Sequence, residues 1–402
     1  MALIVQKYGG TSVRDAERVM NVARRVTEAY KAGNNVIVVV SAQGDTTDDL
    51  IEKAAEINPR ASKREMDMLL ATGEQISISL LAMAIERLGC PVISLTGWQA
   101  GFRTDSKYSN ARIKTIDTER INMEIDRRRI VVVAGFQGIN RYDDITTLGR
   151  GGSDTSAVAI AAALHADVCE IYTDVDGVYT ADPRICKNAY KLDDISYEEM
   201  LELASLGANV LHNRSVEMAK KYSVKLSVRS SLNTNEGTYV KEVSKVEKML
   251  VRGVTRDNDC ARISLCGVEN TPGKAFQVFD MIAKSGISVD LIIQSIGNGK
   301  TKDISFTVAE SQLDIALKLL EEHNSVINAE KITSEKDVSK VSIVGAGMVN
   351  NSGVAAGMFE ALYDAHINIK MIATSEIKIS VLVDQKDAER AVSAIHDKFL
   401  SK

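Results

Sequence analysis

The 402-residue sequence has few cysteines, no excess of positive charge and no long apolar run, and each absence excludes a class of protein. Its five cysteines are odd in number and form no C-x-x-C pair, so we expect neither a disulfide framework nor a zinc site. The net charge of −5 gives no general attraction to nucleic acid or acidic lipid. No apolar run approaches the roughly 18 residues of a membrane span, and the run after Met1 is too short for a signal peptide. We expect a cytoplasmic protein with small polar partners, bound to neither nucleic acid nor membrane.

The composition is that of a globular protein with more than one domain. Hydrophobic residues make up 45% and charged residues 26% of the chain, which excludes a mostly disordered protein. At about 100–200 residues per domain, the length predicts two or three domains. A single small module is therefore excluded.

Short β-branched runs alternate with amphipathic helical patterns through the first 230 residues. The predicted strands are residues 3–5, 36–40, 92–95, 130–133, 168–173 and 225–228. Between them lie apolar stripes at helical spacing, such as the one from Ala16 to Tyr30. This alternation predicts a mostly parallel sheet between layers of helices, with ligands at the carboxyl ends of the strands.

An internal repeat follows after about residue 245, at an offset of 80 residues. Gly273 aligns with Gly353, and Ser295 aligns with Ser375. Each copy has the order β-α-β-β-α, which begins a ferredoxin-like unit. Such a pair can form interfaces suited to small ligands, or it can serve stability alone.

The first strand leads into a loop that suits an anion. Lys7 supplies a charge, while Gly9 and Gly10 let backbone amides approach a phosphate. Ser12 and Asp15 match a capping box, so we expect the next helix to begin at this loop. A plain glycine turn with a solvated lysine is the alternative reading for this segment alone.

A second glycine-rich loop has the sequence LGRGGSD at residues 148–154 and precedes an alanine-rich helix. Arg150 can hold a carboxylate or phosphate through two parallel hydrogen bonds. Asp154, at the helix start, can orient a lysine or a metal-bound nucleotide. Both charge signs in one glycine loop indicate more than a turn.

Three further loops carry polar groups. Residues 173–184 suit a nucleotide base and phosphate tail, and Ile185 stands where a calcium loop needs Glu. Residues 41–48 follow a strand, and residues 72–74 (TGE) are predicted to open a helix. Their hydroxyls and carboxylate can read the ammonium and carboxylate of an amino acid, although Glu74 alone can be a simple helix N-terminal charge.

Two motifs have weaker readings. Residues 297–301 end like a phosphate-binding loop, but Gln294 replaces its first glycine, so we predict a hairpin turn. Residues 344–350 resemble a dinucleotide fingerprint, but Asn350 replaces its third glycine. We interpret residues 127–129 as a solvated helix end and His212 as a local polar contact.

Taken together, the motifs resemble those of the aspartate kinases of the monofunctional, feedback-inhibited type. They are KYGGTSV at 7–13, VSA at 40–42, TGE at 72–74, LGRGGSD at 148–154, YTDVDGVY at 172–179, and the paired repeats. The resemblance implies a three-layer α/β/α amino-acid-kinase sandwich with a mostly parallel sheet, followed by two ferredoxin-like (βαββαβ) ACT domains. It places the catalytic domain at 1–240, the first ACT domain at 260–333, and the second at 247–256 plus 338–402.

The resemblance also implies an activity, the transfer of the ATP γ-phosphoryl to the β-carboxylate of L-aspartate. The product is 4-phospho-L-aspartate, the entry to lysine, threonine and methionine synthesis. Lys7 would stabilise the transferring phosphoryl, with Asp154 positioning it. Arg150 would bind the substrate α-carboxylate and Glu74 its ammonium. The protein would supply no metal ligand, because Mg²⁺ arrives with ATP.

The remaining site residues follow from the same resemblance. The implied substrate-binding residues are Ser41, Thr47, Glu74, Arg150, Gly151, Gly152 and Ser153. The implied nucleotide-binding residues are Lys7, Gly9, Gly10, Thr173, Asp174, Tyr179, Arg184 and Asn209. The family usually has lysine at Asn209, so we expect Asn209→Lys to lower the Michaelis constant for ATP.

The paired ACT domains imply feedback inhibition, with lysine favoured over threonine. The implied effector-binding residues are Val268, Thr271, Gly273, Lys274, Ala275, Ser288, Val289 and Asp290. Asp290 would accept the effector's ammonium, and Lys370 takes its place in the second copy, so that copy's pocket is expected to be altered or empty. A homodimer or a dimer of dimers is expected. A non-catalytic amino-acid sensor and an NAD(P)-dependent dehydrogenase are the alternatives.

Overall fold

The alternating strands and helices of the first part of the chain build a parallel sheet, and the internal repeat builds two smaller antiparallel sheets. The computed structural model describes residues 1–401 apart from 209, 243–249, 297–298 and 352. It divides into two compact units. The first unit is Met1–Val178, Lys191–Ala204 and Asn209–Ser244, and the second is Tyr179–Tyr190, Ser205–Ala208 and Lys245–Lys402.

The elements up to residue 240 belong mainly to the first unit. The strands are β1 (Leu3–Tyr8), β2 (Asn35–Val40), β3 (Val92–Leu95), β4 (Phe102–Thr104), β5 (Ile113–Ile116), β6 (Ile130–Ala134), β7 (Gln137–Ile139), β8 (Ile145–Thr147), β9 (Val168–Thr173), β10 (Asp194–Ile195), β11 (Leu226–Ser230) and β12 (Thr238–Val240). The helices are α1 (Ala16–Lys31), α2 (Thr46–Ile57), α3 (Lys63–Arg87), α4 (Glu119–Asp126), α5 (Gly152–Ala163), α6 (Tyr197–Ser205) and α7 (Asn213–Tyr222).

The main sheet has eight strands in the order β10-β12-β11-β9-β1-β2-β6-β3. All neighbouring pairs are parallel except β11 and β12. β2 and β6 are buried almost throughout, because helices cover both faces of the sheet. A smaller four-stranded sheet, β5-β4-β7-β8, completes the unit.

Two consecutive residues of β1 show how the layers are arranged. Side chains alternate between the faces of a strand, so Lys7 and Tyr8 point to opposite sides. Tyr8 packs with Val22 of α1 and Ile78 of α3, whereas Lys7 pairs with Asp154 of α5. The sheet therefore lies between α1 and α3 on one face and α5 on the other, which confirms the predicted three-layer fold.

Two predicted helix starts are wrong. The N-cap of α1 is Asp15, whose carboxylate accepts a hydrogen bond from the Arg18 N–H at 2.9 Å. Ser12 lies instead in a 3-10 turn, and its hydroxyl donates to Ser231 at 2.7 Å. Residues 72–74 do not open a helix, because α3 begins at Lys63 with Ser62 as its N-cap. Glu74 therefore lies in the middle of a long helix, where its charge gains nothing from a helix terminus.

Helix α3 also bears on the membrane expectation. No uninterrupted apolar run of span length occurs, but α3 as a whole is long and apolar enough to cross a membrane. Length and composition alone say little here, because core helices of soluble proteins satisfy the same test. Its buried residues include Ile78, Leu81 and Ile85, which pack in the core shared with α1 and the main sheet.

The repeat forms most of the second unit. Its strands are β13 (Gly253–Asp257), β14 (Ala261–Glu269), β15 (Val289–Ile296), β16 (Thr301–Val308), β17 (Lys331–Glu335), β18 (Val338–Val344), β19 (Met371–Thr374) and β20 (Lys378–Asp384). Its helices are α8 (Lys274–Lys284), α9 (Leu313–Glu322), α10 (Asn324–Ile327), α11 (Val354–Asp364) and α12 (Ala388–Leu400).

Two antiparallel sheets of four strands correspond to the two copies of the repeat. Their orders are β15-β16-β14-β17 and β13-β18-β20-β19. Gly273 and Gly353, aligned by the repeat, are the N-caps of α8 and α11 with φ of +94° and +101°. These left-handed values favour glycine, which explains why both copies have it. The predicted pair of ACT-type modules is confirmed.

The compact units divide the chain differently from the predicted domain limits, which stay a prediction. Residues 179–190, predicted as catalytic domain, belong to the second unit. Ala181 and Cys186 are buried there in one apolar cluster with Val254, Ile343 and Val392. Burial of these two side chains explains the assignment.

Candidate active site

The loops that leave β1, β2, β6 and β9 meet at one edge of the main sheet. The Gly9 N–H donates to the Tyr172 carbonyl at 3.4 Å, and the Ser41 N–H donates to the Tyr8 carbonyl at 3.1 Å. The Gly135 N–H, just after β6, donates to the Val40 carbonyl at 3.1 Å. Because these strands are parallel neighbours, their carboxyl ends and loops form a continuous edge, where ligands of such sheets bind.

Gly10 permits the closest contact between two of these loops. A Cβ at this position would lie 2.7 Å from the Ala42 carbonyl oxygen and 3.0 Å from that of Gly44. The Gly44 N–H donates to the Gly10 carbonyl at 3.0 Å. The predicted glycine cradle is therefore also a packing requirement, because only glycine lets the loops after β1 and β2 approach this closely.

Lys7 and Asp154 form an ion pair at this edge, as the sequence predicted for their positions. The Nζ to Oδ1 distance is 2.6 Å, and each side chain is only 12% exposed. Lys7 lies near the end of β1, and Asp154 lies in the first turn of α5. The carboxylate holds the ammonium in place while leaving it able to donate to a further anion.

Glu74 is a buried carboxyl with one unused oxygen. Its side chain is 3% exposed, and Oε1 accepts a hydrogen bond from the Ala42 N–H at 3.0 Å. Oε2 is buried and has no hydrogen-bond partner. Burial raises the pKa of Glu74 from its ordinary 4.5 to about 8. A carboxyl in this condition is suited to a cationic group of a ligand, which would supply the missing partner.

The neighbouring Gly73 brings Glu74 close to the loop after β2. A Cβ on Gly73 would lie 2.8 Å from the Ala42 Cβ. The middle of α3 thus packs directly on the loop that contains Ser41 and leads into α2 at Thr46. Ser41 and Thr47, two predicted substrate-binding residues, are half-buried in this region.

The LGRGG loop stands at the start of α5, beside the Lys7 and Asp154 pair. Arg150 is exposed, whereas Gly152 and Ser153 are buried in the first turn of α5. A Cβ on Gly151 would lie 2.2 Å from His212 Cγ, and its φ of +65° also favours glycine. Arg150 is two residues from the start of α5, the helix that holds Asp154, so the backbone of Arg150 lies at the same edge of the sheet as the Lys7 and Asp154 pair.

Two charged residues that support this loop, the buried Asp67 and the half-buried Arg214, were missed by sequence reasoning. The Asp67 carboxylate accepts hydrogen bonds from the Ser109 and Thr147 N–H groups, both at 2.9 Å, and from the Thr147 hydroxyl at 2.8 Å. Arg214 donates to the carbonyls of Leu148 at 2.9 Å and Ala111 at 2.7 Å. These two charges clamp the strand and backbone that precede Arg150.

A signal for Asp67 was present in the sequence. It precedes Glu74 by seven residues on α3, which is two helical turns and therefore the same face. Two carboxylates on the buried face of an apolar helix indicate polar partners within the protein. Arg214 gave no comparable signal, because its two acceptors are backbone carbonyls far away in the sequence.

The predicted nucleotide residues are divided between the units. Thr173 and Asp174 follow β9 at the site edge, and the Thr173 hydroxyl donates to the Asp174 carboxylate at 3.0 Å. Tyr179 and Arg184 belong to the second unit, where Arg184 pairs with Asp182 at 2.7 Å. Asn209 lies outside the described residues, so its nucleotide role and the effect of Asn209→Lys stay predictions.

The edge contains no obvious metal cage of its own. Across the described part of the chain, the one group of three or more His, Cys, Asp or Glu ligand atoms lies in the second unit.

The effector residues do not form one pocket within a single chain. Val268 pairs with Lys302 at the start of β16, whereas Val289 pairs with Val308 at its end. β14 and β15 both pair antiparallel with β16, and α8 connects them in the chain, so they run in the same direction. The end of β14 and the start of β15, which carry the two halves of the predicted pocket, therefore lie at opposite ends of the sheet. Whether these residues bind an effector stays a prediction.

Each half has its own cavity. Thr271 lines one of about 560 Å³ together with Glu269, Lys300 and Glu330. Ser288, Val289 and Asp290 line another of about 300 Å³.

Asp290, the residue predicted to bind the effector's ammonium, already has a cationic partner in the chain. The Lys340 ammonium donates to the Asp290 carboxylate and lies 3.3 Å from that of Asp257. An effector ammonium would have to compete with Lys340. In the second copy Lys370 pairs with Glu335 and Asp384.

Comparison with known proteins agrees with both units. A model of the amino acid kinase family matches residues 2–230, and a model of the ACT domain matches residues 263–323 and 341–399. The aspartokinase of Bacillus sp. (strain MGA3) is 52% identical over 400 residues, covering 99% of this chain and 97% of that protein.

Solved structures give the same correspondence. E. coli aspartokinase III in complex with aspartate and ADP is similar with a TM-score of 0.82 at 26% identity, covering 98% of this chain and 99% of that one. The same enzyme in complex with lysine and aspartate has a TM-score of 0.78 at 26% identity, covering 99% of each chain. The similarity thus extends over the loop edge of the first unit and the paired modules of the second.

Proposed function

Because this chain belongs to the aspartokinases of the amino acid kinase family, ATP-dependent enzymes that act on the carboxyl group of aspartate, we propose that the loop edge of its main sheet is the catalytic site. The reaction would transfer the ATP γ-phosphoryl to the β-carboxylate of L-aspartate and give 4-phospho-L-aspartate. The observation that carries this proposal is the pairing of Lys7 with Asp154 at the edge where the buried Glu74 carboxyl keeps Oε2 without a hydrogen-bond partner.

The acceptor chemistry explains why no general base is needed. The aspartate side chain has an ordinary pKa near ~3.9, so its carboxylate is already ionised and nucleophilic at neutral pH. Catalysis then requires that two anions are aligned and that their charges are offset. Lys7 would offset the charges, and Asp154, which pairs with the Lys7 ammonium, would act as a positioning residue.

Substrate selection would rest on complementary charges. Glu74 would accept the substrate ammonium on its free Oε2, and Arg150 would bind the α-carboxylate. With both α-groups held, the β-carboxylate would face the phosphoryl donor. Ser41, Thr47 and the amides of Gly151, Gly152 and Ser153 would complete the substrate contacts.

Mg²⁺ is the proposed cofactor, and it would neutralise charge on the ATP phosphates. Gly9, Gly10, Thr173 and Asp174 lie at the same edge and would hold the nucleotide. Tyr179 and Arg184 stay in the proposed nucleotide set on the resemblance alone.

We also propose that an end-product amino acid, lysine in preference, inhibits the enzyme through the ACT modules. The lysine complex of E. coli aspartokinase III supports this proposal. The separation of the two pocket halves supports a homodimer or dimer of dimers, because a second copy can bring the Thr271 end of one chain to the Asp290 end of another. The reaction would then be the first step of lysine, threonine and methionine synthesis, in the cytoplasm.

A hydroxylamine trap tests the catalytic proposal. Incubation with ATP, Mg²⁺, L-aspartate and hydroxylamine should give the β-hydroxamate of aspartate and ADP. Lys7→Ala should abolish the product although it still shows a cooperative thermal unfolding transition. Lys31→Ala, an exposed control on α1, should keep full activity. A sensor or a dehydrogenase gives no hydroxamate, and full activity of Lys7→Ala would refute the assigned site.

A further inference from the structure

A cysteine, a histidine and an aspartate from distant parts of the sequence meet in the second unit. Cys186 belongs to the segment Tyr179–Tyr190, and His396 and Asp397 belong to α12. One ligand atom from each residue, a sulfur, a ring nitrogen and a carboxylate oxygen, lies within 4.8 Å of the others. Neither the catalytic site nor the effector cavities use these residues.

His396 is a buried histidine with one ring nitrogen that has no hydrogen-bond partner. Its side chain is fully buried, and Nε2 is hydrogen-bonded to the Thr180 hydroxyl at 2.9 Å. Nδ1 is buried without a hydrogen-bond partner and lies 4.0 Å from the Asp397 carboxylate. An unpaired buried nitrogen is destabilising, and a cation bound to its lone pair would remove that cost.

The groups around the histidine fit this role. The Thr180 hydroxyl accepts from the Tyr190 N–H at 3.1 Å, and its second lone pair can accept from the His396 Nε2–H. That arrangement leaves the Nδ1 lone pair directed at the cluster, as outer-shell partners do for ligand histidines.

The other two residues give the cluster a buried side and an open side. Cys186 is buried in the apolar cluster of the second unit. Asp397 is 56% exposed, and its carboxylate accepts from the Asn188 amide at 3.4 Å. A cation can enter past Asp397, and water can complete its coordination there.

We propose that Cys186, His396 and Asp397 bind one Zn²⁺ ion, with water as the fourth ligand. Zinc takes sulfur, nitrogen and oxygen donors at about 2.0–2.3 Å in a tetrahedron, so the ligand atoms need to close in by about 1 Å. Binding displaces the Cys186 thiol proton to solvent and forms the sulfur–zinc bond. The ion would fasten the segment Tyr179–Tyr190 to α12.

Cobalt substitution tests the site on the full-length protein. After removal of metal with a chelator, Co²⁺ should bind at one equivalent per chain and give a thiolate-to-cobalt charge-transfer band that Zn²⁺ abolishes. Cys186→Ser should remove that band, whereas Cys90→Ser, a buried cysteine of the first unit, should keep it. Zn²⁺ should also raise the unfolding temperature of the wild type but not of Cys186→Ser.

A second variant covers the case in which Cys186→Ser does not fold. Asp397→Asn changes an exposed side chain and should weaken Co²⁺ binding at least tenfold, whereas Asp364→Asn, exposed on α11, should not change it. The proposal is overturned if the wild type gives no thiolate band, if Cys186→Ser retains it, or if Asp397→Asn binds Co²⁺ as tightly as the wild type does.

Discussion

At the scale of single residues, Glu74 links the stability of the chain to pH. Burial raises its pKa from 4.5 to about 8, so the folded chain keeps a proton that the unfolded chain releases between these values. The free energy of unfolding therefore falls as pH rises above the lower value, and the loss is complete above the higher one. We expect Glu74→Gln to be more stable than the wild type at about pH 9, by about 5 kcal/mol, with the difference vanishing near about pH 4.5. Urea unfolding at both pH values measures this difference in the free energy of unfolding. A difference that does not change with pH would contradict the raised pKa of Glu74.

The same carboxyl should shape the pH dependence of substrate binding. A substrate ammonium binds the ionised form of Glu74, which becomes populated as pH rises towards about 8. The Michaelis constant for aspartate should therefore fall with rising pH and level off above that value. In Glu74→Gln it should be higher and should lose this dependence. A wild-type constant that is flat with pH would argue against an ammonium at Glu74.

Asp67 should act on catalysis through the loop that bears Arg150. Asp67→Asn places an amide group against two N–H donors, which should lower the free energy of unfolding by about 1–3 kcal/mol. The Michaelis constant for aspartate should rise more than kcat falls, because the loop binds substrate and does not react. Asp126→Asn, exposed at the end of α4, is the control. Equal kinetics in both variants would leave Asp67 a purely structural residue.

The site residues that could be predicted from the sequence are those that lie in recognisable local motifs. Lys7, Arg150 and Asp154 lie in glycine loops next to predicted strands, so their common edge follows from parallel topology. The burial of Glu74 and the missing partner of its Oε2 depend on the packing of α3 against Ala42, which no local pattern encodes.

At the scale of elements, Gly10 should be the least replaceable residue of the first loop. In Gly10→Ala the new methyl group meets two backbone carbonyl oxygens, at 2.7 Å and 3.0 Å, so the loops after β1 and β2 must separate. In Gly9→Ala its nearest neighbour is the Lys7 Nζ at 3.6 Å, an ordinary contact. Thermal unfolding should show a clear loss for Gly10→Ala and little change for Gly9→Ala. Similar losses in both would contradict the account of this contact.

Strands were easier to predict than helix starts. The runs at 36–40 and 130–133 lie within β2 and β6, because β-branched residues mark a strand buried on both faces. Residues 72–74 misled because glycine usually ends or begins a helix. Here Gly73 is required inside α3 by the approach of Ala42, a tertiary contact that overrides helix propensity.

At the scale of the whole molecule, the split effector pocket predicts complementation between chains. Thr271→Ala and Asp290→Ala should each abolish inhibition by the effector amino acid in pure homo-oligomers. If one pocket takes its two halves from two chains, a mixed oligomer has one pocket with both halves intact, and co-expression should restore part of the inhibition. If co-expression restores no inhibition, each pocket belongs to one chain.

The repeat was visible in the sequence, but the separation of its pocket halves was not. The offset of 80 residues predicted two modules of equal topology. The distance between Val268 and Val289 depends on strand direction and on pairing with β16, which appear only in the folded sheet.

The central claim is that Glu74 binds the ammonium of aspartate at the same sheet edge where Lys7 assists phosphoryl transfer to the β-carboxylate. Succinate has both carboxylates of aspartate and no ammonium, so kcat/KM for the two acceptors isolates this contact. The wild type should prefer aspartate strongly, and Glu74→Gln should reduce that preference about 100-fold, because it removes a buried charge partner. An unchanged preference in Glu74→Gln would contradict the account.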